Sequence, residues 1–407
     1  MTPRVSRPRA HFTPASGWIN DPHGITVVDG RYHLFFQHVP GSTQWQPNCH
    51  WGHAVSDDLT TWETLPIALA PGDGDDGVWS GSITVDDDGD ALAYYTSVQV
   101  PEFGIGRVRV ARPTDDGWEG WEKGDVVAEL PAELDAVAFR DPFVFRDGDR
   151  WRMLVGASLR GGVAAAVSFS SADRLAWTYD GLAAQRPGES VDPVWTGTLW
   201  ECPQIFEIDG RHVLVTSVWE DDVLHYVAYA VGEYADGRFV AAEWHRLTYG
   251  DSYYAPTFFR DRDGRPCLTF WLRGAADEGS GWASAHSVPH LLSLEGDQLV
   301  AELHPEVREG ISALERDSRG NDPELLSWEP EDEEVRIVSE AGRVVTLRRQ
   351  EDAVEVTDGD ERSRLPGVGD RRATLLVDGP VLEVLFGAAS YAFCTDSDLS
   401  VHGRSLA

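Results

Sequence analysis

The chain has one lysine, Lys123, among 34 basic residues, against 68 aspartates and glutamates; its formal net charge is −34 over 407 residues. That excess excludes a nucleic-acid binder and a binder of anionic membranes, which would be repelled before contact. Dense acid with almost no lysine fits a surface hydrated for high salt, and equally an arginine-favouring, GC-rich coding sequence. Cysteine is scarce too: Cys49, Cys202, Cys267 and Cys394 are scattered, with no CxxC pair. A zinc ribbon or a disulfide scaffold is thereby excluded, and reduced thiols are expected. Long apolar runs are missing, and nothing approaches the roughly 18 residues that a membrane helix needs. The start, MTPRVSRPRAHF, lacks the apolar stretch of a secretory signal, so the expectation is a cytoplasmic protein.

What is present is packing material: 42% hydrophobic residues, including 16 tryptophans. The length exceeds one ordinary core, so about two domains are expected. A short Asp-Gly turn followed by a β-rich run recurs along the first two thirds, as in DGRYHLFFQ from Asp29 and DGRHVLVTSVW from Asp209. The turn glycines are Gly30, Gly89, Gly148, Gly210 and Gly264, at intervals of 59, 59, 62 and 54 residues. Asp-Gly between apolar runs is a strong hairpin signal. Strong helical periodicity is absent across the region. Repeated β units, each unable to bury its faces alone, predict an all-β fold, a five-bladed β-propeller over 1–280. Beyond residue 275, GAADEGSGWASAHSVPH reads as a linker. The alternating strands after it predict a β-sandwich, so that linker and sandwich fill 281–407. The acidic EPEDEE (Glu329 to Glu334) reads as a solvated loop.

Three acidic residues share one position in this repeat. Asp21, in NDPHG, lies nine residues before Gly30; Asp141, in FRDPFVF, seven before Gly148; Glu201, in WECPQIF, nine before Gly210. The second repeat has WSGSIT there and the fifth YYAPTFF. If the first strand of each blade lines the central channel, these positions converge on one funnel. One such acid would be a turn cap. Three at equivalent places, two followed by proline, point to a site, because clustered carboxyl groups repel unless something uses or compensates them. Arg140 is the natural compensator. One ionised and one protonated carboxyl is the pair that glycoside hydrolysis requires, and the flanking aromatics suit stacking on sugar faces. His50 and His53 are three apart on a predicted strand and face opposite ways, which argues against a metal-ligand pair; no metal and no cofactor are expected.

These motifs resemble glycoside hydrolase family 32, the β-fructosidases. WINDPHG is similar to the family's W-M-N-D-P-N-G box, FRDP to its second and EC (Glu201-Cys202) to its third, while YHLFFQ, WSGS and VPHLLSLEGDQL resemble further segments. The resemblance covers nearly the whole chain. It implies Asp21 as nucleophile, Glu201 as general acid/base with a raised pKa, and Asp141 as the fructose-binding, transition-state-stabilising carboxylate. It also implies a retaining mechanism with the Asp21 and Glu201 carboxyls about 5–5.5 Å apart. Around them it places Trp18, Asn20, Gln37, Trp45, Trp79 and Ser80, with Arg140 holding Asp141 or Glu201, and Tyr254 and Trp271 nearby. Two departures stand out. His23 replaces the usual second Asn of the first box, and the C-terminal domain is short for the family.

The expected substrate is a small fructoside, most simply sucrose. Fructan exo-hydrolysis or fructosyl transfer would use the same carboxylates, and sucrose 6-phosphate would call for a basic rim that the sequence does not display. A propeller glycosidase acting on arabinose or xylose would also offer three acids, although the neighbours Asn20 and Cys202 argue against it. From another class, a non-catalytic carbohydrate-binding propeller would require loss of a catalytic acid, and none is lost. The oligomeric state is not encoded in these motifs.

Overall fold

The computed structural model describes residues 5–317, 321–329, 334–367 and 372–402. The Asp-Gly turns sit between the first and second strands of the repeats. Asp29-Gly30 joins Gly17–Val28 to Arg31–Val39 with φ of 50° and 80°, and Asp209-Gly210 joins Leu199–Ile208 to Arg211–Glu220 with 51° and 74°. Positive φ at both turn residues is the type I′ geometry, whose twist matches that of the flanking strands.

Strands of one period pair in chain order into antiparallel sheets. These run from Gly17–Val28 to Trp62–Leu69, Gly77–Val85 to Trp121–Ala128, Ala136–Asp147 to Thr178–Pro187, and Leu199–Ile208 to Arg238–Arg246. The last group starts with Tyr253–Arg260, paired to Pro266–Asp277, which pairs in turn with Trp282–His286 and His290–Glu295. The leading strand of each group packs on that of the next, and the last packs back on the first. Trp282–His286 also runs parallel to Gly17–Val28, with Gly17 opposite Trp282, so the ring closes by backbone hydrogen bonding. Closure of this kind is the propeller solution, in which sheets repeat radially around an axis.

The stretch expected as a linker is thus part of the ring. Its small residues are not those of a tether: Ala283 and Ala285 are buried beside Trp282 in a strand paired on both edges.

After His290–Glu295 and Gln298–Leu303 comes a helix, Pro305–Ala313, and then two five-stranded sheets. Their inner faces form one core in which Ile337 and Leu347 of one sheet meet Leu375, Val384 and Phe393 of the other, a β-sandwich. Two features tie it to the ring. Thr248–Gly250 leaves the ring to pair in parallel with Ala389–Cys394. His11 is buried between Asp378 (2.9 Å) and Glu383 (2.7 Å), and Glu383 also accepts from Tyr253 (2.6 Å) and bonds His290 (2.9 Å). Within EPEDEE, residues 330–333 lie outside the described residues. Among the described residues no helix is long and apolar enough to cross a membrane.

Candidate active site

Every leading strand of the ring is irregular at the same place. The ladder slips between Ile19 and Pro22, Trp79 and Gly81, Glu201 and Gln204, and Tyr254 and Thr257, and on the partner of the third strand between Leu154 and Gly156, opposite Asp141. Asp141, Cys202 and Ala255 take positive φ (67°, 48°, 44°), and each is followed by proline. A bulge re-aims one side chain while the strand on either side keeps its face. Non-glycine residues adopt this conformation only where their surroundings enforce it. The repeat position singled out in the sequence is therefore the place where each strand turns a side chain toward the axis.

Asp21 accepts four hydrogen bonds there. Asn20 Nδ2 donates to its Oδ1 at 3.0 Å, whereas Ser80 Oγ (2.6 Å), Gln37 Nε2 (3.1 Å) and the Cys202 thiol (3.7 Å) converge on Oδ2. Trp18 Nε1 donates to Asn20 Oδ1 at 3.2 Å and so orients that amide. On the facing side, Arg140 donates from Nε (3.1 Å) and Nη2 (2.8 Å) to Oε1 of Glu201, and the Tyr254 hydroxyl donates to Oε2 at 2.6 Å. Asp141 is bound by the Cys202 amide at 3.1 Å, and its own amide donates to Thr96 Oγ1 at 2.8 Å. Arg140 is thus committed to Glu201.

Three carboxyl groups and one guanidinium share this volume, so the site carries excess negative charge unless it holds protons. Burial pushes Asp21 above the ordinary aspartate value; the Ser80, Asn20 and Cys202 hydrogen bonds oppose the rise and the charge of Glu201 adds to it. Asp141 goes further, to about 7, through burial, with Arg140 opposing and Glu201 and Asp21 adding. Burial, reinforced by the three carboxyl groups, raises the Cys202 thiol well above its usual value, which keeps its proton available to Asp21.

Above the carboxylates stands an aromatic lip. Trp45, 41% exposed, meets Trp79 edge-on at 5.6 Å, and Phe103 touches both at 6.3 and 5.6 Å. Trp271 meets Trp18 at 5.6 Å and Tyr254 at 6.3 Å. Trp18, Trp79, Tyr254 and Trp271 thus sit on the strands that carry or face the acids, and Trp45 joins them through Trp79.

Sequence reasoning did not find Thr96, Phe103 or Arg273. Thr96 bonds both the Asp141 amide and the Ser80 carbonyl (3.0 Å), and Arg273 lies 5.1 Å over the Tyr254 ring. Each follows another strand or loop, and only the aromatic character of Phe103 could have drawn notice. His23 is inside the strand, not in a loop. Its ring packs against Trp51 with centroids 4.1 Å apart and planes tilted by 43°, and burial, aided by His286, lowers its pKa well below the usual value. A buried trio, Asp261, Cys267 and His304, has ligand-like proximity. Its groups are already used: His304 Nε2 meets Asp261 at 2.9 Å, His304 Nδ1 caps the helix, and Arg265 bonds Asp261 at 2.6 Å.

Residues 11–302 match the family model for the glycosyl hydrolases family 32 N-terminal domain. The chain is 34% identical over 314 residues to a sucrose-6-phosphate hydrolase from Escherichia coli, covering 72% of this chain and 63% of that protein. It is 33% identical over 329 residues to a cell-wall β-fructofuranosidase from Zea mays, covering 71% and 54%. The chain thus spans less than two thirds of the length of these relatives. A family 32 β-fructofuranosidase from Bombyx mori, solved with sucrose, superposes with a TM-score of 0.81 at 24% identity, covering 98% of this chain and 94% of that one. A fructan 1-exohydrolase from Cichorium intybus gives 0.77 at 19%, covering 98% and 95%. At such identities these two speak for the fold, a β-propeller joined to a β-sandwich.

Proposed function

The chain belongs to glycosyl hydrolase family 32, and we propose that it is a retaining glycosidase that cleaves terminal β-D-fructofuranosides, sucrose foremost. The observation that carries this reading is the opposed treatment of two carboxylates. Asp21 is held by neutral donors, Asn20, Gln37, Ser80 and Cys202; Glu201 is held by a cation and a phenol. In this mechanism Asp21 attacks the anomeric carbon of the fructosyl unit as Glu201 gives a proton to the departing glycosidic oxygen. Glu201 then takes a proton from the water that opens the fructosyl–Asp21 ester, releasing fructose with its configuration retained. Asp141 accepts hydrogen bonds from fructose hydroxyls, which favour its ionised form.

The ring is read as five blades, one for each leading strand, with the boundary to the sandwich falling between residues 303 and 324. Arg140 is engaged by Glu201, and Arg273 donates to the carbonyls of Leu224 (2.7 Å) and His225 (3.3 Å). Both guanidinium groups already hold partners within the protein, which favours sucrose over sucrose 6-phosphate. Assaying sucrose, sucrose 6-phosphate, inulin and levan side by side tests the proposal. Fastest release of fructose from sucrose is expected; faster cleavage of the phosphorylated sugar would overturn the substrate assignment, and no release from any of the four would overturn the activity.

A further inference from the structure

The bulge that aims Asp21 takes part of the first strand out of its ladder. Trp18 and Ile19 pair with Val39 and His38, and the register resumes at Pro22, so Asn20 and Asp21 stand outside it. Asn20 is buried, and a buried main-chain carbonyl in a bulge needs a donor from elsewhere. His286 supplies it: Nε2 donates to the Asn20 carbonyl at 2.7 Å. This histidine ends Trp282–His286, the strand that closes the ring. A second histidine serves the carbonyl two residues earlier, His38 Nδ1 donating to Trp18 O at 2.8 Å.

Those two carbonyls belong to the residues that set a donor on Asp21. Trp18 Nε1 holds Asn20 Oδ1 at 3.2 Å, and Asn20 Nδ2 donates to Asp21 Oδ1 at 3.0 Å. A side chain is aimed no better than its main chain is held, so a shift of Asn20 passes on to the nucleophile. His286 is itself fixed. Its amide donates to Phe12 O at 2.9 Å, and its buried ring lies against those of Phe12 (5.5 Å) and Phe36 (5.8 Å). Its Nδ1 has no hydrogen-bond partner among the described residues. Burial lowers the His286 pKa to about 4, against the Asn20 bond, and keeps His23, its electrostatic neighbour, neutral as well. A neutral imidazole carries one proton, and the Asn20 carbonyl can only accept, so Nε2–H is the tautomer that fits.

We propose that His286 is a positioning residue for the nucleophile, its Nε2–H holding the Asn20 main chain so that the Asn20 amide keeps its bond to Asp21. The inference rests on the active-site reading above and goes beyond it, because the strand that completes the ring then also sets the aim of Asp21. His286 acts on the reaction only through Asn20.

The test compares the wild type, His286→Leu and His286→Gln on sucrose, with thermal melts to identify folded variants. Leucine keeps the apolar burial and removes the donor, whereas the glutamine amide can still donate. In His286→Leu kcat should fall about tenfold or more while KM stays within about threefold. The acid limb of kcat/KM should move to higher pH, since the Asn20 bond that favours ionised Asp21 is loosened. His286→Gln should recover most of kcat and of the limb. A lower melting temperature with kcat and limb unchanged, or equal losses in both variants, makes His286 a packing residue and overturns the proposal. If His286→Leu does not fold, nitrogen NMR of the wild type decides: a neutral Nε2–H tautomer supports the proposal and Nδ1–H overturns it. If the folded wild type releases no fructose, the active-site reading has failed on its own. A carbon NMR titration of the Asp21 carboxyl, identified with Asp21→Asn, then decides: a higher pKa in His286→Leu supports the proposal and an unmoved one overturns it.

Discussion

Ser80 donates its hydroxyl to Asp21 at 2.6 Å across the junction of two sheets, and the two residues are 59 apart, one full repeat. The residue at the acid's position in the second repeat thus serves the acid of the first. That bond favours ionised Asp21 and opposes the rise that burial causes. Ser80→Ala is therefore expected to move the acid limb of kcat/KM to higher pH and to lower its plateau by about ten- to a hundredfold, the scale of one bond to a buried charge. Initial rates on sucrose across pH 4–8 test this; an unmoved limb would remove Ser80 from the control of Asp21.

Tyr254 and Arg140 should separate by substitution. Tyr254→Phe removes one donor to Glu201 Oε2 and leaves both Arg140 bonds to Oε1. kcat should drop about tenfold or more with little change in KM, since the lost bond acts on the proton-transfer group and not on substrate. A rise in KM at constant kcat would instead make Tyr254 a substrate-binding residue.

Asp141 predicts a stability signature. Its folded pKa is about 7, against about 3.9 for an unfolded aspartate. Between these values the folded chain holds a proton that the unfolded chain has released, so folding loses stability as pH rises through that window. Asp141→Asn removes the titration. Its melting temperature should exceed that of the wild type by a margin that grows from about pH 4 and levels off above about pH 7, while activity is lost. A margin independent of pH would contradict the assignment.

His11, at the contact between ring and sandwich, has the same sign in a higher pH window. Two buried carboxylates, Asp378 and Glu383, outweigh burial and raise it to about 9, and the same contacts, with His290, hold Glu383 far below the ordinary glutamate range. A raised histidine contributes fully below its unfolded value of about 6.5 and loses that contribution as pH rises through its folded value. The wild type should lose melting temperature relative to His11→Gln between about pH 6.5 and 9; parallel curves would contradict the pairing.

Much of this architecture is legible in the sequence because it rests on local chemistry. Asp29-Gly30 and Asp209-Gly210 take the positive φ values that type I′ turns need, and the register they set puts Asp21, Asp141 and Glu201 in equivalent places. Asp141-Pro142 and Cys202-Pro203 even mark where the strands bulge, since proline cannot donate to a ladder. What stays hidden depends on distant partners. Trp282–His286 resembles a tether until it is seen closing the ring against Gly17, 265 residues earlier. His11 gives no sign of Glu383, 372 residues away. His23 reads only as a departure from the first box, and the fold shows it as a buried ring against Trp51. Arg140 could have held either acid, and only the fold assigns it to Glu201.

The central claim is that Asp21 forms the bond to the fructosyl unit. Glucose and fructose released from sucrose by the wild type and by Asp21→Asn, with thermal melts confirming that both are folded, test it most directly. Equimolar glucose and fructose from the wild type, and at least about a thousandfold less from Asp21→Asn, are predicted for loss of a nucleophile. Equal rates in the two proteins would contradict the account.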